Sequence, residues 1–157
     1  MAEVQYTQLI DLIKQNPEYV DRIKKQYLFL LSELTSTSYI ETSLFEKNLE
    51  RINEMGSIVV GVLNDVASNY FELVASGTII IEPKIIREGK NVGHIEDIVV
   101  AKHMRGKGIS YKILDILKLF ARENNCYKVI LDCDNEVKNV YIKNGLKVKG
   151  IQMAEYF

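Results

Sequence analysis

Apolar positions in the first third of the chain recur at helical spacing. A first predicted helix starts at the Asn16-Pro17 pair and ends before the run TSTS. A second carries Phe45, Leu49 and Ile52 along one side. Gly56 stands where a left-handed helix cap is expected. We therefore predict two core helices, both of which precede the first strand.

From residue 57 onward the pattern changes to β-branched runs. Three of them, SIVVGVLND, FELVASGTIIIEP and NVGHIEDIVV, are separated by short breaks rich in Asp, Asn and Gly, which is typical of an antiparallel meander. An amphipathic helix over YKILDILKLF follows, and the pattern of YKVILDCD predicts a further strand. Because strand, helix and strand form a crossover unit, YKVILDCD is predicted to lie parallel to NVGHIEDIVV.

The remaining segment holds a predicted short helix, EVKNVYIKN, which ends at Gly145, and a predicted closing strand, LKVKGIQMAEYF. The expected fold is a mixed α/β fold with a central, mostly antiparallel sheet, one parallel strand pair and flanking helices. Of the 157 residues, 47% are hydrophobic and 26% are charged, so residues 1–157 are expected to form one domain with a full core.

Charge and side-chain chemistry narrow the possible partners. A net charge of -1 argues against a general nucleic-acid binder. No apolar run reaches the roughly 18 residues of a membrane span. The N-terminus also lacks a secretory pattern, so we expect a cytoplasmic protein without a membrane partner. Cys126, Cys133, His94 and His103 are too isolated for a metal centre, and no metal is expected.

The segment AKHMRGKGIS, between the third β-branched run and its helix, has the chemistry of an anion-binding loop. Gly106 and Gly108 allow close backbone approach, and Lys and Arg crowd the turn at which a helix exposes unpaired N–H groups. The run lacks the residue patterns of loops that bind magnesium nucleotides or dinucleotides. It suits a pyrophosphate that is bound without chemistry at phosphorus.

A meander that leads into a parallel pair, with an Arg-x-x-Gly-x-small loop at the crossover, resembles the GNAT superfamily of acetyl-CoA-dependent N-acetyltransferases. The loop consists of Arg105, Gly106, Lys107, Gly108, Ile109 and Ser110. Ser110 replaces the usual Gly or Ala. The resemblance implies a GNAT-type fold whose parallel pair lies at the acetyl-CoA site. It also implies that acetyl-CoA contacts this loop together with Ile98, Val99, Val100 and Tyr141.

The segments GHIEDI, GTIIIEPKII and LDCD, with the late Tyr141, resemble a narrower family, the eukaryotic glucosamine-6-phosphate N-acetyltransferases. This likeness implies acetyl transfer from acetyl-CoA to the amino group of glucosamine 6-phosphate, on the route to UDP-N-acetylglucosamine. The attack is direct and needs no metal. A homodimer is also expected, since the closing segment has an apolar strand edge that can pair between subunits.

Glu96 and Asp97 are adjacent, so a regular strand would point them to opposite faces. The superfamily resemblance implies a β-bulge near residues 95–97, which would re-aim these candidate substrate ligands. Backbone N–H groups near Ile98 could then hold the developing oxyanion. A solvated strand residue is the alternative for each acid. Two carboxylates in an otherwise apolar strand favour the functional interpretation.

Asp132 lies in VILDCD, at the carboxyl end of the second parallel strand, where open α/β sheets tend to bind ligands. Matching to the family makes Asp132 a substrate contact and the candidate general base, with Glu96 as the competing base. For Asp134 an N-cap role is favoured. The resemblance to the family implies that the Tyr141 phenol points at the thioester sulfur, where it can protonate the departing thiolate. A plain core tyrosine is the alternative.

Other substrate contacts carry weaker signals. Lys84, near the end of the GTIIIEPKII run, and Arg87 and Lys90 after it suit a sugar phosphate, although a solvated turn explains them equally well. Thr35 matches an LT pair that borders the acceptor pocket in the family. The family also carries an Arg near its C-terminus, where this chain has MAEYF. Lys147 or Lys149 would have to compensate.

Two other functions stay open. The same acetyl-CoA chemistry could act on another amine, such as a peptide N-terminus, a lysine or a polyamine. Alternatively, the chain is a catalytically silent acyl-CoA-binding protein. The joint presence of Glu96, Asp97, Asp132 and Tyr141 argues against that alternative.

Overall fold

A computed structural model describes residues 3–65 and 70–157. Its centre is a five-stranded sheet in the order β1-β2-β3-β4-β5. The strands are β1 (Val4–Gln8), β2 (Gly56–Asp65), β3 (Tyr70–Pro83), β4 (Asn91–Val100) and β5 (Cys126–Ile130). The helices are α1 (Leu9–Gln15), α2 (Val20–Leu31), α3 (Thr42–Met55), α4 (Ile109–Glu123) and α5 (Lys138–Lys143). Short 3₁₀ turns cover Pro17–Tyr19, Arg87–Gly89 and Lys102–Met104.

The pairing of the strands confirms the predicted mixed α/β fold. Strands β1 to β4 pair antiparallel, and β5 pairs parallel with β4 after the α4 crossover. Strand β4 coincides with the predicted run NVGHIEDIVV, and α2, α3 and α4 match the predicted helical stripes. The break expected between the first two predicted strands falls at residues 66–69, outside the described residues.

Four sequence predictions about the elements are wrong. A strand, β1, precedes the helices. Its five residues are too short a run to predict a strand, and pairing with β2 stabilises them. Gly56 has an extended φ of 177° and begins β2 instead of capping α3. β5 ends at Ile130, so LDCD lies beyond it. Residues 146–157 run as irregular, mostly exposed chain instead of the predicted closing strand, because they do not pair with the open edge of β5.

The alternation of β3 places helices on both faces of the sheet. A Cβ at Gly77 would lie 2.6 Å from Ile113 Cγ2, so this position faces α4 and only glycine leaves room for the helix. The neighbouring Ser76 and Thr78 face the other way, toward the buried Tyr27 of α2. α4 therefore covers one face and α2 covers the other.

The core is continuous from the sheet into both helical layers. Its fully buried side chains include Leu9, Ile23, Leu30, Ile79, Ile95, Ile113, Leu114 and Leu117. Burial of each such side chain contributes about 1.5–3 kcal/mol. Strand β4 and helix α4 carry several of these residues. The segments at the ends of these two elements are therefore held by a rigid core.

Strand β4 contains a bulge where the resemblance implied one. Asp97 and Ile98 together oppose the single residue Gly77 of β3. Asp97 adopts a left-handed φ of 53°, which an aspartate tolerates better than most residues. The extra residue leaves Glu96 and Asp97 both exposed although they are adjacent. The expected bulge near residues 95–97 is confirmed, and the site roles of the two carboxylates stay predictions.

The parallel pair separates along its length. β4 and β5 pair from Asn91 and Cys126 to His94 and Ile130, where β5 ends, while β4 continues to Val100. A gap therefore opens beside the second half of β4, at the carboxyl end of β5. Open α/β sheets bind ligands at this end of their strands.

Candidate active site

The connection from β4 to α4 contains two left-handed glycines. Gly106 and Gly108 have φ angles of 76° and 75°, a region that residues with side chains rarely adopt. A Cβ at either position would meet nothing within 4 Å, so conformation alone requires glycine and the space beside the loop is open. Gly108 caps α4, whose first turn exposes N–H groups and the positive end of the helix dipole. The loop can therefore hold an anion.

Arg105 turns back onto the protein. Its Nε donates a 2.9 Å hydrogen bond to the Val100 carbonyl, and its Nη2 lies 3.5 Å from Glu33 Oε2. The guanidinium is thus engaged in holding the loop against the end of β4. Glu33 is a partner that no motif in the sequence indicated.

The other predicted cofactor contacts offer mainly backbone groups. Val99 and Ile109 are buried, so only their backbone is available to a ligand. Lys107 is exposed beside the loop and supplies a positive charge. The half-buried members of the predicted set are Ile98, Val100 and Ser110.

Three carboxylates near the gap between β4 and β5 are close enough to affect one another electrostatically. Partial burial raises the pKa of Glu96, and the negative charges of Asp97 and Asp132 raise it further. The nearby His94 acts in the opposite direction. The structure therefore brings together the acids of GHIEDI and LDCD, which the sequence separates by 35 positions. A carboxylate with a raised pKa accepts a proton more readily.

Gln152 is a site contact that the sequence did not indicate. Its Nε2 donates a 3.0 Å hydrogen bond to Asp132 Oδ2. The contact forms because the irregular segment 146–157 folds back past the end of β5, and no spacing rule links the two residues. The bond orients the carboxylate of Asp132.

Tyr141 lies on α5 and packs half-buried against the core. Burial raises the pKa of its phenol, and negative charge on Cys133 raises it further. Cys133 adjoins Asp132, so the phenol lies near the segment that carries the third carboxylate. α5 is anchored by Lys118, whose Nζ donates a 3.1 Å hydrogen bond to the Asn144 carbonyl. A phenol held neutral in this way is a proton donor at neutral pH.

Lys84 lies in an ion-pair cluster at the end of β3. Its Nζ is hydrogen-bonded to Glu82, whose other carboxylate oxygen lies 2.6 Å from His94 Nε2. Two hydrogen bonds lower the pKa of Glu82. The bond from Lys84 has the larger effect, and the bond from His94 has the smaller one. A sugar phosphate would therefore compete with Glu82 for this cation.

The remaining predicted acceptor elements lie on exposed chain. Thr35 follows α2, and its N–H donates a 3.1 Å hydrogen bond to the Leu31 carbonyl. In segment 146–157, Ile151, Met153 and Tyr156 are each more than 90% exposed. A single chain therefore forms the loop side of the site more completely than the acceptor side.

Other features of residues 3–65 and 70–157 add no second candidate site. Within those ranges, no group of three or more His, Cys, Asp or Glu side chains is placed to hold a metal ion. None of the helices described is long and apolar enough to cross a membrane. A depression of about 370 Å³ between Met55, Pro83 and Asn91 contains none of the predicted site residues.

The bulged strand, the separating parallel pair and the two-glycine loop together define the class of this protein. Residues 21–145 match the acetyltransferase (GNAT) family. The chain belongs to this family, and the superfamily resemblance predicted from its loop is confirmed.

Similarity to a narrower group of proteins is also high. The glucosamine 6-phosphate N-acetyltransferase of Arabidopsis thaliana is 37% identical over 135 residues, which cover 85% of this chain and 89% of that protein. The protein of the same name from Candida albicans is 40% identical over 129 residues, or 82% of this chain and 85% of its own length. The crystal structure of the Arabidopsis enzyme has a TM-score of 0.82 at 32% identity and covers 99% of both chains.

Proposed function

We propose that this protein transfers the acetyl group of acetyl-CoA to the 2-amino group of glucosamine 6-phosphate, giving N-acetylglucosamine 6-phosphate and CoA. The observation that carries the proposal is the gap that opens where β5 ends beside the bulge of β4, with Glu96, Asp97 and Asp132 electrostatically coupled there. The 37% and 40% identical relatives support the choice of acceptor. The proposal includes a cytoplasmic location and a place on the route to UDP-N-acetylglucosamine.

The loop and β4 are proposed to hold acetyl-CoA. Backbone N–H groups of residues 106–110 suit the pyrophosphate, and Lys107 adds a positive charge. Beyond His94, none of the described strands pairs with β4 on the β5 side. Its backbone groups on that side are therefore free to bind the extended pantetheine arm. Acetyl-CoA supplies an activated thioester, and the backbone N–H near Ile98 would stabilise negative charge that develops on its carbonyl oxygen.

The three carboxylates are proposed to handle the sugar amine. Glu96 and Asp97 would bind the ammonium group, and Asp132, oriented by Gln152, would take its proton. The free amine then attacks the thioester directly, so no covalent enzyme intermediate is needed. Glu96 is the competing base, because its raised pKa also suits proton acceptance.

Tyr141 is proposed to protonate the leaving thiolate. As the carbon–nitrogen bond forms, the carbon–sulfur bond breaks and leaves negative charge on sulfur. The raised pKa of Tyr141 keeps its phenol protonated and available for this step. The nitrogen loses one proton to Asp132 before the attack and a second proton as the amide forms, and this second proton balances the one that Tyr141 gives to sulfur.

A homodimer is proposed to complete recognition of the sugar phosphate. Lys84 is shared with Glu82, and segment 146–157 exposes apolar side chains together with Lys147 and Lys149. Pairing of this segment with a second copy would cover the apolar side chains. Light scattering at micromolar concentration tests the dimer, and a monomer would contradict it.

The function is tested by measuring thiol release from acetyl-CoA. Glucosamine 6-phosphate, glucosamine and spermidine are offered in parallel to the purified protein. Release with the phosphosugar alone is the expected result. Release with another amine instead would keep the fold and co-substrate but contradict the acceptor. Binding of acetyl-CoA without any release would indicate a silent acyl-CoA-binding protein.

A further inference from the structure

Glu33 joins parts of the molecule that lie far apart in the sequence. It lies just after α2, two residues before Thr35, and its side chain is only 15% exposed. Its Oε2 accepts a 2.8 Å hydrogen bond from the backbone N–H of Lys102, 69 residues further along the chain. The same oxygen lies 3.5 Å from Arg105 Nη2.

The contact with Lys102 caps the turn that follows β4. Lys102 begins the 3₁₀ turn Lys102–Met104, and the first N–H of such a turn has no acceptor within the turn. A carboxylate that accepts from this N–H forms a charge-assisted hydrogen bond, which is stronger than a neutral one. Glu33 therefore holds the start of the segment that carries Gly106 and Gly108.

Arg105 closes the link from the other side. Its Nε is bonded to the carbonyl of Val100, the last residue of β4, while its Nη2 faces Glu33. The guanidinium offsets the cost of placing a carboxylate where it is mostly shielded from water. Loss of Glu33 would leave the Lys102 N–H and one side of Arg105 without their acceptor.

We propose that Glu33 is a positioning residue that couples the acceptor segment after α2 to the acetyl-CoA loop after β4. An anion bound at the loop and an acceptor bound beside Thr35 would favour the same placement of this turn, so each would strengthen binding of the other. The proposal rests on the proposed function for the identity of the two ligands. The link itself rests on the contacts of Glu33.

Calorimetric titration of CoA into the full chain tests the link without acetyl transfer. Glu33→Ala should weaken CoA binding about tenfold, and Glu33→Gln, which keeps an acceptor for the Lys102 N–H, about threefold. Glu46→Gln, at an exposed glutamate of α3, is the matched control and should leave the Kd unchanged. A Kd within twofold of wild type in folded Glu33→Ala protein overturns the proposal.

A double-mutant cycle covers the case in which Glu33→Ala does not fold. In a cycle of Glu33→Gln, Arg105→Gln and the double variant, the double variant should bind CoA about as weakly as the weaker single variant. Strict additivity overturns the proposal. Wild-type protein that binds no CoA would overturn both the coupling and the proposed function. CoA binding without acetylation of glucosamine 6-phosphate would overturn the function alone.

Coupling is read most directly from CoA affinity with and without glucosamine 6-phosphate. The sugar should tighten CoA binding by about fivefold in wild type, and this gain should vanish in Glu33→Gln. In steady state, the KM of the sugar should rise in that variant while kcat changes less than about twofold. A general loss of stability would not produce this split. An unchanged gain in Glu33→Gln overturns the proposal.

Discussion

The acetyl-CoA side and the acceptor side of the site differ in how completely one chain forms them. The loop at residues 105–110 lies between β4 and α4, which are both packed into the core, and it is fastened by Glu33 and Arg105. The acceptor side depends on residues 131–134 and 146–157, which are irregular and mostly exposed. On the proposed assignment, acetyl-CoA binding relies on the packed scaffold, whereas acceptor recognition relies on irregular and mostly exposed segments.

The largest effect is expected from Asp132→Asn on the acceptor side. Asparagine keeps the shape of the side chain but cannot take a proton, so kcat should fall by at least about 100-fold. The Kd of acetyl-CoA should not change. Comparison with Glu96→Gln identifies the base as the residue whose loss lowers kcat more. Weaker acetyl-CoA binding in Asp132→Asn would contradict the separation of the two sides.

A smaller loss is expected for Tyr141→Phe, which acts where the two sides meet. Removal of the proton donor should lower kcat about tenfold. Because the pKa of Tyr141 is raised, the wild-type phenol should stay protonated up to about pH 10, so kcat should not fall on the alkaline side below that pH. A pH profile of kcat checks this. An alkaline fall centred below pH 9 that disappears in Tyr141→Phe would count against the assignment.

A change confined to the acetyl-CoA side is expected for Gly108→Ala. Its φ of 75° costs a residue with a Cβ about 1 kcal/mol. A loop that relaxes to relieve this strain must return to the strained conformation to bind, so the affinity for acetyl-CoA should fall by up to about fivefold. Gly89→Ala is the matched control, since its φ of 74° is equally strained and its Cβ would be 3.9 Å from the nearest atom. Both variants should lose similar thermal stability. Only Gly108→Ala should raise the Kd of acetyl-CoA, as measured by calorimetry.

The smallest effect is expected for the stability of Glu96→Gln. The raised pKa of Glu96 means that the folded chain binds the proton more tightly than the unfolded chain. Ionised Glu96 therefore destabilises the fold above its unfolded pKa of about 4.3. Glu96→Gln should raise the Tm at pH 7 by less than about 3 °C, and the gain should vanish below about pH 4. A lower Tm at pH 7 would contradict the unfavourable charge cluster.

The same contrast explains which features could be predicted from the sequence. β4, α4 and the loop between them carry a local signal, because a β-branched run, two glycines and an amphipathic stripe follow one another without a gap. Asp132 could be expected near a ligand because it follows the second parallel strand, and the family resemblance of GHIEDI implied that Glu96 and Asp97 belong to the same site. β1 could not be predicted, since its five residues gain their pairing only from β2.

What the sequence determined by itself is the succession of elements from β2 to α5, the two-glycine loop and the acids available for chemistry, because each depends on neighbours within a few residues. Only the tertiary structure decided that Glu33 reaches Lys102 and Arg105, that Gln152 reaches Asp132, and that His94 reaches Glu82. These contacts join segments that are far apart in the sequence, so no local periodicity predicts them. Their geometry follows from how the helices and irregular segments pack around the sheet.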